Sequence, residues 1–127
     1  MKVLVIGSGG REHAIVHALH QCASVSEIHA LPGSAGMSKQ AICHDLSWKD
    51  SEAIVNFCIR TEITYAVIGP EDPLVAGLAD KLRERGILAV GPSGESAQLE
   101  GSKVFAKEFM VEAKVPTAAY DVVTSIA

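Results

Sequence analysis

A glycine-rich turn near the amino terminus is the first place in this sequence where chemistry could occur. The letters GSGGREH, residues 7–13, follow a run of aliphatic residues and precede a segment with apolar residues at helical spacing. Glycine accepts positive φ and lets backbone amides approach a ligand, and the first turn of a helix leaves several N–H groups without partners. These features together favour the binding of an anion, above all a phosphate, at this turn.

The spacing of the glycines argues against a dinucleotide as that anion. Counted from Gly7, the G-x-G-x-x-G fingerprint finds Gly9 at its third position but Glu12 at its sixth. The predicted second strand ends at residues 31–33 without the acid that would hold a ribose hydroxyl. A P-loop fails as well, since no Gly-Lys-Ser/Thr closes the turn. A phosphate-bearing small molecule is favoured, with NAD as the alternative and a purely structural role for the glycines also open.

Three further turns rich in glycine or proline follow predicted strands. They have the letters PGSAG at residues 32–36, GPEDP at 69–73 and GPSG at 91–94. Turns between strands and helices commonly contain these residue types, so the glycines alone do not identify a site. The adjacent acids Glu71 and Asp72, each next to a proline, are less easily explained as turn residues. If all four turns lie at one edge of a sheet, they predict a ligand site there.

The elements that must position these turns alternate along the chain. Short aliphatic runs and segments of helical periodicity predict an α/β fold with a doubly wound, mostly parallel sheet and right-handed crossovers. Strands are predicted at residues 3–6, 26–31, 41–43, 63–68 and 87–90. Helices are predicted at about 11–21, after a capping box at 47–50, at about 74–85 before Gly86, and at 95–100 and 102–113.

Composition limits the class of protein. At 127 residues with 48% hydrophobic residues, the chain is long enough for one domain with a substantial core. A net charge of −4 without a Lys/Arg cluster argues against nucleic-acid binding. The apolar runs are only strand-sized, so we expect no membrane span, and no signal-peptide pattern opens the sequence. Because Cys22, Cys43 and Cys58 fit reduced thiols in a core, we expect a cytoplasmic protein.

Three histidines on the first predicted helix raise the question of a metal site. His13, His17 and His20 are spaced four and three residues apart, which can place ligands on one helix face. Without a third type of ligand nearby in the sequence, we favour solvent-facing side chains and expect no metal site. His13 is the exception, because it lies next to the glycine turn.

The carboxyl-terminal segment predicts a domain boundary. Val115-Pro116-Thr117 ends the last predicted helix, and residues 120–123 have the pattern of a strand with little chain after it to pair with. We therefore interpret residues 1–118 as an amino-terminal substrate-binding domain and residues 119–127 as the start of a following domain that is cut off at the end of the chain.

Several motifs, in this order, resemble phosphoribosylamine–glycine ligase, also called glycinamide ribonucleotide synthetase. They are KVLVIGSGGREHA at residues 2–14, PGSAG at 32–36, VIGPEDPLVAGL at 67–78, AVGPS at 89–93, LEGSKVFAKEFM at 99–110 and VPTA at 115–118. The resemblance covers nearly the whole chain, and the pair GSGGREHA and GPEDPL is specific.

The resemblance implies a Rossmann-like amino-terminal domain that precedes an ATP-grasp body, which would begin at residue 119. The family joins glycine to 5-phosphoribosylamine to give glycinamide ribonucleotide in de novo purine synthesis, using ATP and Mg²⁺ (or Mn²⁺) by way of a glycyl phosphate. Expected partners are these small molecules and the carboxyl-terminal domains of the same enzyme. We expect the chain alone to be inactive and to hold no cofactor tightly. A nicotinamide-dinucleotide-binding oxidoreductase domain and a noncatalytic ligand-sensing module are the alternatives.

The resemblance also implies roles for individual residues. Backbone amides and Arg11 suit the substrate phosphate, and Glu71 and Asp72 suit the sugar hydroxyls or the reactive amine. Lys103 matches by position a lysine that ATP-grasp enzymes use on nucleotide phosphates, although a solvated helix face would also explain it. The expected substrate-binding residues are Gly9, Gly10, Arg11, Glu12, His13, Gly33, Glu71 and Asp72. Catalytic and metal-binding residues are expected outside this chain.

Overall fold

One parallel sheet of five strands forms the centre of the computed structural model, which describes residues 1–123. The strands are β1 (Lys2–Gly7), β2 (Glu27–Pro32), β3 (Ile42–Cys43), β4 (Ile63–Ile68) and β5 (Leu88–Val90). Their order is β3-β2-β1-β4-β5, and every neighbouring pair is parallel. The expected α/β class and doubly wound sheet are therefore confirmed. The strand order reverses between β1 and β4, because β2 and β3 lie on one side of β1, and β4 and β5 lie on the other.

Helices cover both faces of the sheet. They are α1 (Gly10–His20), α2 (Ser51–Thr61), α3 (Glu71–Val75), α4 (Leu78–Glu84), α5 (Gly94–Gly101) and α6 (Lys103–Glu112), with a short 3-10 helix at Met37–Lys39. Because successive residues of a strand point to opposite faces, Leu4 and Val5 join different cores. Val5 packs with Val16 of α1, whereas Leu4 packs with residues of α2 and α4 such as Ile54 and Leu82.

Two helix starts differ from the predictions. The helix expected at about 74–85 is divided into α3 and α4, because Gly77 has a left-handed conformation with φ 77° and ψ 20°. The helix α2 is capped by Asp50, whose side chain accepts a hydrogen bond from the Ala53 amide at 2.9 Å. Ser47, the predicted start of a capping box, instead accepts a bond from the Lys49 amide at 3.3 Å.

The cysteines and the carboxyl-terminal segment also correct the expectations. Cys58 is buried, but Cys22 is exposed rather than part of a core. No residue of α6 is buried. Residues 120–123 have no regular secondary structure, so the expected strand is absent from the part of the chain that the structure describes. Residues 124–127 of the expected following domain lie outside the described residues, and the boundary at residue 118 stays a prediction.

Within residues 1–123, no helix has both the length and the apolar character that crossing a membrane requires.

Candidate ligand site at the carboxyl edge of the sheet

Four turns meet at the carboxyl edge of the sheet, as expected for parallel strands. They are the turns at residues 7–10, 32–36, 69–73 and 91–94, and we call them together the loop rim. The Gly33 amide donates to the Gly7 carbonyl at 3.2 Å, and the Gly69 amide donates to the Ile6 carbonyl at 3.0 Å. The turns after β2 and β4 are thus joined directly to the end of β1, so three of the four turns are linked by backbone hydrogen bonds.

Gly9 and Gly10 form the start of helix α1. Gly9 is the N-cap residue with an extended backbone (φ −81°, ψ −179°), and Gly10 is the first helical residue. Both are exposed. The Gly9 amide donates to Oε2 of Glu12 at 2.8 Å, whereas a Cβ atom placed on Gly10 would meet nothing within 4 Å. Open space for a ligand therefore lies at Gly10, while the Gly9 amide already has a partner.

Glu12 lies inside the loop rim and not on its surface. Its exposed fraction is only 4%, although the sequence suggested direct contact with substrate. A Cβ atom on Gly7 would come within 2.5 Å of the Glu12 Cγ atom, and one on Gly69 would come within 2.6 Å of its Cδ atom. Glycine at these two positions is what makes room for the Glu12 side chain between the turns.

The carboxyl group of Glu12 is ionised despite its burial. Removal from water raises its pKa, but the hydrogen bonds from Arg11 and from the Gly9 amide, together with the charge of Arg11, bring the pKa below its ordinary value. The Arg11 Nε atom donates to Oε1 at 2.9 Å. The carboxylate of Glu12 therefore has two partners. It accepts the amide of the N-cap residue Gly9, as the Glu of a capping box does, and it also accepts from the guanidinium of Arg11.

Arg11 places a positive charge next to the loop rim. Its side chain is 61% exposed even though Nε is bound to Glu12. The hydrogen bond to Glu12 is the largest cause of its raised pKa, and the charges of Glu100 and Glu71 raise it further. Helix α5, which contains Glu100, and helix α3, which begins at Glu71, thus lie close enough to Arg11 to interact with its charge.

Glu71 and Asp72 are the first two residues of α3. Pro70 precedes them as an extended N-cap residue, and the buried Pro73 follows them. Both acidic side chains are exposed, and neither takes part in an ion pair within residues 1–123. The two prolines therefore flank two exposed carboxylates at the rim, and the one on Glu71 is close enough to Arg11 to interact with its charge.

His13 and Gly33 have different surroundings. A Cβ atom on Gly36 would lie 2.7 Å from the His13 Cε1 atom, so the exposed His13 ring packs directly on the turn at 32–36. Gly33 has φ +74°, and a Cβ atom there would lie 2.5 Å from the Cys43 sulfur. The geometry therefore gives Gly33 a packing role, while His13 faces the space beside Gly10.

The turn at residues 91–94 is fixed by the side chains of Arg83 and Asp80, which belong to none of the sequence motifs. Arg83 Nη2 donates to the carbonyls of Ala89, at 2.9 Å, and Gly91, at 2.5 Å. Asp80 Oδ2 accepts from the Gly94 amide at 2.7 Å, and its Oδ1 accepts from Arg83 at 3.3 Å. The signal available in the sequence was an acid and a base spaced i and i+3 just before a strand.

The remaining candidates do not form a separate site. Lys103 is the exposed first residue of α6, two residues beyond Gly101 of α5. His17 does not form a set of metal ligands with His13 and His20, because its ring is hydrogen-bonded to the side-chain amides of Gln21, at 3.0 Å, and Gln40, at 3.2 Å. In the part of the chain that the structure describes, no group of three or more His, Cys, Asp or Glu side chains is arranged to hold a metal ion.

Comparison with known proteins identifies the family of this chain. The family described as "Phosphoribosylglycinamide synthetase, N domain" matches residues 1–100, which include all four turns. Among curated relatives, the phosphoribosylamine–glycine ligase of Streptomyces coelicolor is 50% identical over 118 residues, which are 93% of this chain and 28% of the relative. The chain spans no more than 30% of the length of the first bacterial ligases that it matches.

Solved structures agree with this assignment. The phosphoribosylamine–glycine ligase of Thermotoga maritima superposes with a TM-score of 0.66 at 32% identity, over 94% of this chain and 26% of its own. The biotin carboxylase subunit of pyruvate carboxylase has a TM-score of 0.68 at 21% identity, over 98% of this chain and 30% of its own, and shows a shared fold alone. The oxidoreductase alternative gains no support from these matches. The chain belongs to the phosphoribosylglycinamide synthetase family, and it corresponds to the N domain of that family.

Proposed function

We propose that this chain is the substrate-positioning amino-terminal part of an ATP-dependent ligase. That enzyme joins glycine to 5-phosphoribosylamine and gives glycinamide ribonucleotide in de novo purine synthesis. The observation that carries the proposal is the family match over residues 1–100, which spans the whole loop rim. A cytoplasmic location is part of the proposal, because all three cysteines are free thiols.

The rim provides complementary groups for a phosphorylated sugar. The guanidinium of Arg11 is exposed and can donate charge-assisted hydrogen bonds to phosphate oxygens, and the open space at Gly10 lets a ligand approach the first turn of α1. Glu71 and Asp72 are acceptors suited to ribose hydroxyls or to the amine of the substrate. His13 borders the same space. In this proposal Glu12 and Gly33 act from beneath, by holding Arg11 and the turn at 32–36 in place.

The contribution of these residues is binding and orientation. Holding two reactants in a productive geometry can supply roughly 7–11 kcal/mol of a reaction barrier. ATP, when bound to the complete enzyme, would supply the phosphoryl group that activates the glycine carboxylate. The described residues do not fit a metal ion, so no step is assigned to a metal held by them. Lys103, at the start of α6, is proposed as a contact for nucleotide phosphates together with the carboxyl-terminal domains.

Titration of the isotope-labelled chain with ribose 5-phosphate tests this proposal. We expect amide shifts at Gly10, Arg11 and His13, and we expect Arg11→Gln to weaken binding by about 10- to 100-fold, since a hydrogen bond to a charged group is lost. Arg60→Gln is the matched control, because Arg60 is an exposed arginine near the end of α2.

Two results would contradict the proposal. The first is that NAD shifts the amides of the glycine turn while ribose 5-phosphate leaves them unchanged. The second concerns the expectation that the chain alone is inactive: glycine-dependent ATP turnover by these 127 residues would show that the chemistry does not need further domains.

A further inference from the structure

Glu12 occupies the position where a dinucleotide-binding turn has its third glycine. In such a turn that glycine allows close packing of helix against strand, and the second glycine lets the backbone approach a pyrophosphate. Here the Glu12 side chain takes the place of that glycine, and Gly7 and Gly69 leave room for it, because they lack the Cβ atoms that would collide with Glu12. The turn is therefore built around a carboxylate.

This carboxylate changes what the turn can bind. Its Oε2 atom accepts the Gly9 amide, so that donor is no longer available to a ligand. The negative charge of Glu12 also lies directly beneath the turn, where it repels the negative charge of a bound ligand. On the other side, Oε1 holds only the Nε atom of Arg11, which leaves the end of that guanidinium facing outwards with 61% of the side chain exposed.

We propose that Glu12 is a specificity-determining residue, which excludes a pyrophosphate from the glycine turn and restricts the rim to a single phosphate held by Arg11. The inference rests on the proposed function in one respect, namely that the natural ligand carries one sugar phosphate. If the role of Glu12 were purely structural, its replacement would change the affinities for all ligands to the same extent. A role in specificity instead changes the ratio of two affinities.

The test compares ribose 5-phosphate with inorganic pyrophosphate on the same protein. Glu12→Gln keeps the size of the side chain and one oxygen that can accept the Gly9 amide, but it removes the charge and the acceptor for the Arg11 Nε atom. A change in the contact between Arg11 and a phosphate acts on both ligands, so the ratio of the two affinities reports the loss of the charge. We expect the ratio of the two affinities to shift by about tenfold towards pyrophosphate, because one repulsive charge next to the anion is lost. Glu84→Gln, an exposed residue at the end of α4, makes the same change in net charge and should leave the ratio unchanged.

A second variant restores the fingerprint itself. Glu12→Gly creates G-x-G-x-x-G at residues 7–12, frees the Gly9 amide, and is expected to bind pyrophosphate more tightly than wild type does. Urea unfolding of each variant establishes that the compared proteins are folded. If both variants fail to fold, competition on the wild-type chain decides, since equal or tighter binding of pyrophosphate than of ribose 5-phosphate would overturn the proposal.

The outcomes separate this inference from the proposed function. A wild-type chain that binds ribose 5-phosphate, with variants whose affinity ratio stays within about twofold of it, supports the function and refutes the role of Glu12. A chain that does not bind ribose 5-phosphate, but whose Glu12 variants gain affinity for pyrophosphate, refutes the function and supports the role of Glu12.

Discussion

Replacing Gly69 by alanine is expected to destabilise the fold, because Gly69 faces the buried Glu12. The new Cβ atom would lie 2.5 Å from Cγ and 2.6 Å from Cδ of Glu12, whereas carbon atoms pack at about 3.5–4.0 Å. The turn cannot simply move away, since the Gly69 amide is bonded to the Ile6 carbonyl at 3.0 Å. Glu12 cannot move freely either, since its carboxylate accepts the Gly9 amide at 2.8 Å.

The two ways of relieving this contact give the magnitude. Moving the backbone or neighbouring side chains costs roughly 1–3 kcal/mol, as for other overpacked cores. Moving Glu12 sacrifices a hydrogen bond to a charged group, worth roughly 1.5–3 kcal/mol. We therefore expect Gly69→Ala to lower the free energy of unfolding by about 2 kcal/mol, which for a domain of this size lowers Tm by about 8 °C.

Urea unfolding followed by circular dichroism measures this effect. Gly10→Ala is the control, because a Cβ atom there meets nothing within 4 Å, and it should be neutral or stabilise by up to about 1 kcal/mol. In the double variant Glu12→Ala/Gly69→Ala, the collision is gone, so the combined loss should be smaller than the sum of the two single losses. Additivity within about 0.5 kcal/mol, or a Gly69→Ala loss below that value, would refute the reasoning.

Two further predictions concern other parts of the fold. The pKa of His44 lies below its ordinary 6.5, because burial and then the neighbouring His29 disfavour the charged ring. As the pH is lowered through about 6.5, the ordinary pKa of histidine, the unfolded chain therefore binds this proton before the folded chain does, and the free energy of unfolding should decrease. His44→Gln should flatten this dependence and the exposed His20→Gln should not. Asp50→Ala removes the cap of α2 and should cost about 1 kcal/mol in urea unfolding, whereas an unchanged midpoint would show that the Ala53 amide does not need the cap.

The strands could be predicted because their signal is local. The expected strand at residues 63–68 coincides with β4 (Ile63–Ile68), and the run of aliphatic residues before Gly7 forms β1. Strands covered on both faces need apolar side chains at consecutive positions, so burial is recorded in the residue types themselves. The same reasoning placed the four turns together at one edge, since parallel strands all end there.

The failures have a common cause in long-range or competing contacts. Gly77 was hidden inside a stretch with leucines at helical spacing, and its left-handed conformation divides α3 from α4. Asp50 and Ser47 are both good N-cap residues, and the choice between them depends on where α2 can begin against the sheet. Neither choice follows from residue preferences within the segment.

The chain's order of residue types was sufficient to specify an α/β sheet with glycine turns at its carboxyl edge. That the turn binds a phosphate and not a dinucleotide stays a prediction from the spacing of the glycines. The position of Glu12 was visible in the sequence as a missing glycine, but its burial was not. That burial depends on Gly69, which lies 57 residues later in the chain and becomes a neighbour only when β4 pairs with β1. Packing between distant segments therefore decided that Arg11 is exposed while Glu12 supports it from within.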